Sequence, residues 1–171
     1  IMAGDGYSIY PFTPFFVQRN ESAINPNELA FSSVGRLVKA ASSVPFDEIN
    51  LVVKNTLYRD KVRVRLQSDA TLSYDLGKDA VKFLTPRAIV PQIYCKQNGY
   101  KLSVNAVPGN TREVVIEVML PEAGTYAIQL EDIEKVSGCE QIILMDNAIG
   151  TQLNLLLDNQ SYVFEATAGA V

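Results

Sequence analysis

The chain has 171 residues, of which 47% are hydrophobic and 20% are charged, and its net charge is −4. This composition excludes a disordered chain, and the acidic balance provides no electrostatic footprint for nucleic acid. The length is enough to bury a core without a metal or a disulfide. No apolar run approaches the roughly 18 residues of a membrane-spanning helix. We therefore expect a single domain over residues 1–171 that does not insert directly in a membrane and needs no cofactor to fold.

The N-terminal part is rich in aromatic residues and proline from Tyr7 to Val17 and is then polar up to Ser33. Proline confines such a segment to edge strands or extended crossings. Residues 1–33 are therefore predicted to be a lead-in and loop, and residues 34–171 the main part of the fold. Because Ile1 precedes Met2 and no signal-peptide pattern follows, we expect the sequence to be a fragment of a larger protein.

Apolar and polar residues alternate with a period of two along most of the chain. Val62, Val64 and Leu66 alternate with cations, and the same pattern recurs over 49–53, 100–104, 114–120 and 126–130. Turn signals such as Asn98-Gly99 separate these runs at intervals of about ten residues. The sequence predicts an all-β fold, a two-sheet antiparallel β-sandwich of jelly-roll or immunoglobulin-like form. Only 37–42 and 77–83 are candidates for a helical turn.

The run from Glu140 to Phe164 predicts a hairpin and one further strand. Asp146, Asn147 and Gly150 accept the backbone angles of a tight turn, and apolar residues flank them on both sides. The predicted core of the whole fold consists of inward-facing residues of these strands: Phe16, Leu51, Val53, Val64, Leu66, Ile93, Leu102, Val104, Ile116, Val118, Tyr126, Ile128, Leu144, Leu155 and Phe164.

Cys95 and Cys139 lie far apart and lack the C-x-x-C spacing of zinc or redox sites. We expect two unpaired, mostly buried thiols, since a free cysteine often packs as a small apolar side chain. A disulfide between them is the alternative.

The chain has no histidine, which excludes Ser-His-Asp and Cys-His catalysis and histidine zinc sites. Paired carboxylates remain open, and Glu131, Asp132 and Glu134 are the acidic cluster that such a hydrolase would use. Because the cluster follows a strand and precedes Lys135, we interpret it as a solvated loop. The same interpretation applies to Asp75 and Asp79.

Loop oxygens offer weak candidates for a structural calcium site, namely Asp146, Asn147 and Asp158, with Asp5 and Asn159 also available. We interpret these residues as turn-forming, through side-chain bonds to the nearby backbone.

Lys61, Arg63 and Arg65 place three positive charges on one face of a strand, as a surface for a polyanion would. Because a single stripe in an acidic protein is weak evidence for such a surface, we expect cross-strand pairing with glutamates such as Glu113 and Glu117, or protection of an exposed strand.

Tyrosine rings are candidates for stacking on sugars, because a ring face packs on the apolar patch of a carbohydrate. The candidate ligand-binding residues are Tyr7, Tyr10, Tyr58, Tyr74 and Tyr94. The alternative is that each ring packs in the core or at a sheet edge, and the absence of tryptophan favours that alternative.

Several segments together resemble the C-terminal β-sandwich modules of large secreted or cell-surface, adhesin-like proteins of Bacteroidetes. They are Phe15-Phe16-Val17-Gln18, Arg63-Val64-Arg65-Leu66, Tyr74-Asp75, Asp79-Ala80-Val81-Lys82-Phe83, Val90-Pro91-Gln92-Ile93-Tyr94, Gly124-Thr125-Tyr126, Ile143-Leu144-Met145-Asp146-Asn147, Leu153-Asn154-Leu155 and Ser161-Tyr162-Val163-Phe164. The resemblance implies an extracellular or outer-membrane location and other domains of the same chain as partners. It carries no catalytic residues. It also implies a missing last strand, so residues 162–167 are expected near a sheet edge that can self-associate.

These observations favour a non-catalytic structural or adhesive module of a bacterial surface protein, with a surface protein or a glycan as a further partner. The first alternative is a carbohydrate-binding module, and the second is a hydrolase that uses paired carboxylates.

Overall fold

A computed structural model of the chain describes residues 47–87, 89–136, 139–157 and 161–167. Ten strands and one 3₁₀ helix (Ile133–Lys135) lie within these ranges, so the prediction of an all-β fold with very little helix is confirmed. The strands are β1 (Asp47–Lys54), β2 (Arg59–Gln67), β3 (Ala80–Val81), β4 (Gln92–Gln97), β5 (Tyr100–Pro108), β6 (Ile116–Met119), β7 (Gly124–Glu131), β8 (Ile143–Asp146), β9 (Thr151–Asn154) and β10 (Ser161–Ala166). The predicted lead-in 1–33, the stretch 37–42 and Phe16 lie outside the described residues.

Eight of these strands form one sheet with the order β10-β7-β1-β2-β5-β4-β6, and β3 pairs with β5. β8 and β9 form a separate two-stranded sheet. Antiparallel pairing was predicted throughout, and it is found at every described pair of strands except β2 and β5, which are parallel with Arg63 opposite Val104. The prediction was wrong there because β3 and β4 lie between β2 and β5 in the chain. This crossover is long enough to bring β5 back in the direction of β2.

One buried cluster contains side chains from five strands of the sheet, from β7 near one end to β4 near the other. Its members are Leu51, Val53, Val62, Val64, Ile93, Cys95, Leu102, Val107, Leu120, Tyr126, Ile128, Leu130 and Leu155. Strands that are distant in the sheet order can share a cluster only if the sheet curls around it. The partly buried Leu66, Ile116, Val118, Leu144 and Phe164 pack against the same cluster, so these predicted core positions are correct.

Val104 is an exception, since it is half-buried and lies outside this cluster. The register of β3 against β5 changes between Ala80, which faces Val104, and Val81, which faces Leu102. One extra residue of β5, Ser103, is accommodated there as a β-bulge, and beyond it the alternation of side chains shifts by one position. Val107 therefore points into the core with Leu102, although a strict period of two would place them on opposite faces.

The possible helical turn over 77–83 was wrong. Gly77 has a φ of 95°, which ends a turn rather than continuing a helix, and β3 follows directly. Asp79 fixes this geometry, because its carboxylate accepts hydrogen bonds from the backbone nitrogens of Asp75 at 2.7 Å and Ala106 at 2.7 Å. The carboxylate thus attaches the loop to β5, and the interpretation of Asp79 as a solvated loop residue was wrong, since the residue is buried.

The predicted C-terminal hairpin is confirmed as β8 and β9, which pair with Asp146 opposite Thr151. Gly150 closes the turn with a φ of 70°, and its backbone nitrogen donates to the Asp146 carbonyl at 2.8 Å. β10 does not join this hairpin. It pairs with β7 and is last in the strand order of the large sheet, at the position expected for residues 162–167.

Candidate functional site

The two described calcium candidates, Asp146 and Asn147, begin the turn of the β8–β9 hairpin. Asp146 Oδ1 accepts a hydrogen bond from the Ala148 backbone nitrogen at 2.8 Å, and Oδ2 accepts one from the Tyr162 hydroxyl at 2.6 Å. The Tyr162 hydrogen bond holds the pKa of Asp146 below its usual value, although partial burial opposes this shift. Both carboxylate oxygens therefore already serve the local structure. Asp158, like Asp5 and Asn159, lies outside the described residues, and the described part of the chain holds no group of three acidic or cysteine side chains arranged for a metal.

Three of the five candidate tyrosines are described, and they do not form one surface; Tyr7 and Tyr10 lie outside the described residues. Tyr94 is fully buried, and the Lys101 ammonium lies 4.8 Å from the centre of its ring. Its ring face is therefore not open to a ligand. Tyr58 is half-buried in the β1–β2 turn, where its backbone nitrogen donates to Asn55 Oδ1 at 2.7 Å.

Tyr74 is the candidate that lies in an aromatic surface. Its ring stacks on that of Tyr100, with centroids 4.8 Å apart and an interplanar angle of 22°. Tyr100 begins β5 and is 46% exposed. We call this pair the tyrosine stack.

The β4–β5 turn positions the tyrosine stack. Asn98 and Gly99 have φ angles of 47° and 84°, as a two-residue hairpin turn requires, and the turn sets Tyr100 opposite Gln97. The side-chain amides of this turn hold the loop that carries Tyr74: Gln97 Nε2 donates to the Ser73 carbonyl at 3.2 Å, and Asn98 Nδ2 donates to the Leu72 carbonyl at 2.9 Å.

A cleft of about 210 Å³ is lined in part by the β4–β5 turn and the loop that hold the tyrosine stack, although neither tyrosine lines it. Leu72, Gln97 and Asn98 line it on the side of the stack, and it is also lined by Lys96, Asn105, Val107, Glu113, Val114 and Val115. Its lining is therefore apolar where Leu72 and the three valines lie, and polar where Glu113 and the side-chain amides lie.

Asn105 is the most buried polar residue of the cleft, with 1% of its surface exposed. Its Oδ1 has no hydrogen-bond partner among the described residues, and an unsatisfied buried acceptor is costly. Asn105 also lies against Cys95: burial raises the pKa of the Cys95 thiol to about 12, and a hydrogen bond with Asn105 opposes that rise. Cys95 and Cys139 are both free thiols, as predicted.

Two of the three cations in the β2 stripe, Lys61 and Arg65, form ion pairs, but with different carboxylates from those predicted. Arg65 Nε lies 2.9 Å from Glu48, and Lys61 Nζ lies 3.0 Å from Glu131 and 3.4 Å from Asp132. Arg59, at the start of the same strand, lies 2.6 Å from Glu131. The predicted partners Glu113 and Glu117 are on other elements, since β2 lies between β1 and β5 in the sheet.

Glu117 pairs instead with Lys96 of the neighbouring strand β4, at 2.6 Å. Glu113 is exposed and lines the cleft.

The acidic cluster at the end of β7 consists of Glu131, Asp132 and Glu134, and Glu131 and Asp132 form ion pairs with cations of β2. Burial raises the pKa of Glu131, but hydrogen bonds from Lys61 and Arg59 outweigh it and leave the pKa below its usual value. Asp132 has a φ of 53° and precedes the 3₁₀ helix, in which Glu134 is exposed. Glu131 is thus held as an ionised partner of two cations, which is the opposite of what a general acid requires.

Sequence reasoning did not identify Tyr100, Asn105 or the cleft. The Asn98-Gly99 signal was available for Tyr100, because a two-residue turn places the residues on either side of it opposite each other. Nothing comparable marks Asn105, whose burial depends on the bulge in β5.

None of the helices in the described ranges is long and apolar enough to span a bilayer. The chain matches no protein-family model, no curated protein and no solved structure at a significant level.

Proposed function

We propose that this chain is a non-catalytic structural and adhesive module of a bacterial cell-surface or secreted protein. The observation that carries the proposal is the use of its carboxylates: Glu131, Asp146 and Asp79 each bind groups of other strands or loops. These carboxylates, which a hydrolase could use as a general acid or base, instead stabilise the contacts between strands and loops. The resemblance of the sequence to surface modules supports the location.

We also infer that the curled sheet works as two layers, which is the β-sandwich expected from the sequence. The buried cluster supports this arrangement, since Val53 and Ile128 come from β1 and β7 and Ile93 and Leu102 come from β4 and β5. Two packed layers around one core are the usual solution for an all-β domain, and they leave broad outer faces for contact with other domains or surfaces.

The adhesive role predicts that the folded protein binds surfaces and lacks hydrolase activity. Beads coated with the protein should be retained on extracellular-matrix proteins or cell layers, whereas beads coated with the urea-unfolded protein should not. Antibodies should label intact cells of the organism that encodes it. Retention equal to that of the unfolded control, or release of reducing sugar that Glu131→Gln abolishes, would overturn the proposal.

A carbohydrate-binding role is the second candidate, and the tyrosine stack favours it. Tyr100 presents a half-exposed ring whose orientation is fixed by Tyr74, and aromatic rings of this kind pack on the apolar face of a sugar. The neighbouring cleft is lined by Glu113, whose exposed carboxylate can accept hydrogen bonds from hydroxyls.

Affinity electrophoresis on immobilised polysaccharides tests this second role. Tyr100→Ala should abolish retardation by the polysaccharide that retards the wild type, whereas Tyr58→Ala, a change of the same kind in the β1–β2 turn, should not. If no polysaccharide retards the wild type, or if both variants behave alike, the carbohydrate-binding role is wrong and the adhesive role is unaffected.

A further inference from the structure

We propose that the outer edge of β10 pairs with β10 of a second copy of this chain. The pairing is antiparallel around a two-fold axis that places Val163 opposite Val163 of the second copy. This self-association is separate from the adhesive and carbohydrate-binding roles and does not depend on either.

The position of β10 supplies the edge. β10 uses one side of its backbone to pair with β7, from Ser161 opposite Gln129 to Ala166 opposite Gly124. Among the described strands it is last in the order, and no backbone hydrogen bond outside the β7 pairing is found for Ser161–Ala166 within the described part of the chain. A row of N–H and C=O groups on such an edge is a template for strand addition.

The faces of the sheet restrict the register. Tyr162 and Phe164 pack against the core, whereas Val163 points outward. In the paired strands, residues directly opposite each other lie on the same face of the sheet. If the two-fold axis passes through a residue, inner-face residues of one copy lie opposite inner-face residues of the other. If the register shifts by one residue, inner-face residues lie opposite outer-face residues, so the two inner faces no longer match.

The sequence of β10 is self-complementary around Val163. On the outer face, Val163, which is 61% exposed, would pack against Val163 of the second copy. On the inner face each Tyr162 would lie opposite Phe164 of the second copy, and this continues a stack in which Tyr162 and Phe164 already lie 5.3 Å apart and Phe164 and Tyr126 lie 6.1 Å apart. Aromatic and β-branched cross-strand pairs stabilise antiparallel sheets.

The position of Glu165 favours the same register. Its carboxylate would lie opposite the Ser161 hydroxyl of the second copy, which can donate a hydrogen bond to it. An axis through Phe164 would instead place Glu165 opposite Val163 of the second copy and leave that valine against a carboxylate. The axis through Val163 therefore gives the better match on both faces.

Cysteine cross-linking tests the register. In a Cys139→Ser background, where the remaining Cys95 is buried, Val163→Cys should form a disulfide-linked dimer under mild oxidation. Directly opposed Cα atoms in an antiparallel pair are about 4.5–5.5 Å apart, which is within the range of about 4.4–6.8 Å that a disulfide spans. Glu165→Cys alone should give at least tenfold less dimer, and adding Ser161→Cys to it should restore the dimer. Equal cross-linking of the two single variants would overturn the proposed register.

Sedimentation tests the association itself. The unmodified protein should shift from monomer to dimer as its concentration rises, and Val163→Lys should weaken dimerisation at least tenfold by placing two ammonium groups opposite each other. Ile149→Lys is the matched control, since Ile149 is 70% exposed in the β8–β9 turn, and it should leave the dimer unchanged. A wild type that stays monomeric at every concentration, or equal weakening by both variants, would refute the proposal.

Discussion

The Tyr162 hydroxyl donates a 2.6 Å hydrogen bond to Asp146 Oδ2, and this contact joins the last strand of the sheet to the β8–β9 hairpin. Leu144 and Leu153 of the hairpin pack against the buried cluster, and Leu155, which follows β9, belongs to it. Asp146 therefore has two structural roles, since it closes its own turn and attaches that turn to β10.

Removing the hydroxyl should loosen this attachment. We expect Tyr162→Phe to lower the free energy of unfolding by about 1–2 kcal/mol, because a hydrogen bond to a charged acceptor is lost while the ring and its stacking are kept. Urea denaturation measures the change. Tyr58→Phe is the control, since its hydroxyl donates no hydrogen bond that is found in the described part of the chain, and equal destabilisation by the two changes would contradict this account.

The same contact predicts a loss of stability in alkali. The hydrogen bond to Asp146 raises the pKa of Tyr162 from 10.0 to about 12. A raised folded-state pKa means that the contribution is complete below pH 10 and is lost as the pH rises towards 12. The difference in unfolding free energy between the wild type and Tyr162→Phe should therefore shrink between pH 10 and about pH 12, and a difference independent of pH would contradict the prediction.

The two free thiols should differ strongly in reactivity. Burial raises the pKa of Cys95 to about 12, so almost no thiolate forms near neutral pH, and the side chain is inaccessible. We expect a thiol reagent at pH 8 to label about one cysteine quickly in the native protein and both after unfolding. Cys139→Ser should remove the fast reaction, whereas rapid labelling of two cysteines in the native state would show that the region around β4 opens readily.

Because of the bulge in β5, two Val→Ala substitutions in this strand should lower the free energy of unfolding by very different amounts. Val107→Ala should cost about 2–3 kcal/mol, because it removes buried methyl groups and leaves a cavity. Val104→Ala should cost less than about 1 kcal/mol, because Val104 lies outside the core cluster. Chemical denaturation of both variants measures the two free energies of unfolding. A larger loss for Val104→Ala than for Val107→Ala would mean that the side chains of β5 alternate without a bulge.

Features of the fold that depend on neighbouring residues were predictable from the sequence. The Asn98-Gly99 turn and the hairpin closed by Gly150 follow from residues that tolerate positive φ between alternating strands. Leu51, Ile93 and most of the other predicted core residues follow from the same alternation.

Features that depend on which strands are neighbours were not predictable in this way. The hydrophobic period does not show that β1 lies between β2 and β7 in the sheet. Lys61 and Arg65 were therefore expected to pair with Glu113 and Glu117, whereas their partners are Glu131 of β7 and Glu48 of β1. A bulge leaves no periodic signal either, which is why Val104 was misplaced. Both depend on contacts between residues far apart in the chain.

The candidate site was predictable only in part. Tyr74 was identified by its residue type, but Tyr94, chosen on the same grounds, is fully buried. Tyr74 lies at the surface because Gln97 and Asn98 hold its loop in place. These hydrogen bonds form only when the loop packs against the β4–β5 hairpin, so residue type alone does not distinguish the two tyrosines.

The parallel pairing of β2 with β5 also has a consequence for the order of folding. β1 and β2 can form a hairpin as soon as both have been synthesised, but among the described strands the other edge of β1 is covered by β7, and that of β2 by β5. Pairing over such separations must first offset the entropy of closing long loops, and it is slow for that reason. The hairpin therefore waits for both of its described partner strands, and this interval is when a molecular chaperone would be most useful to the newly made chain.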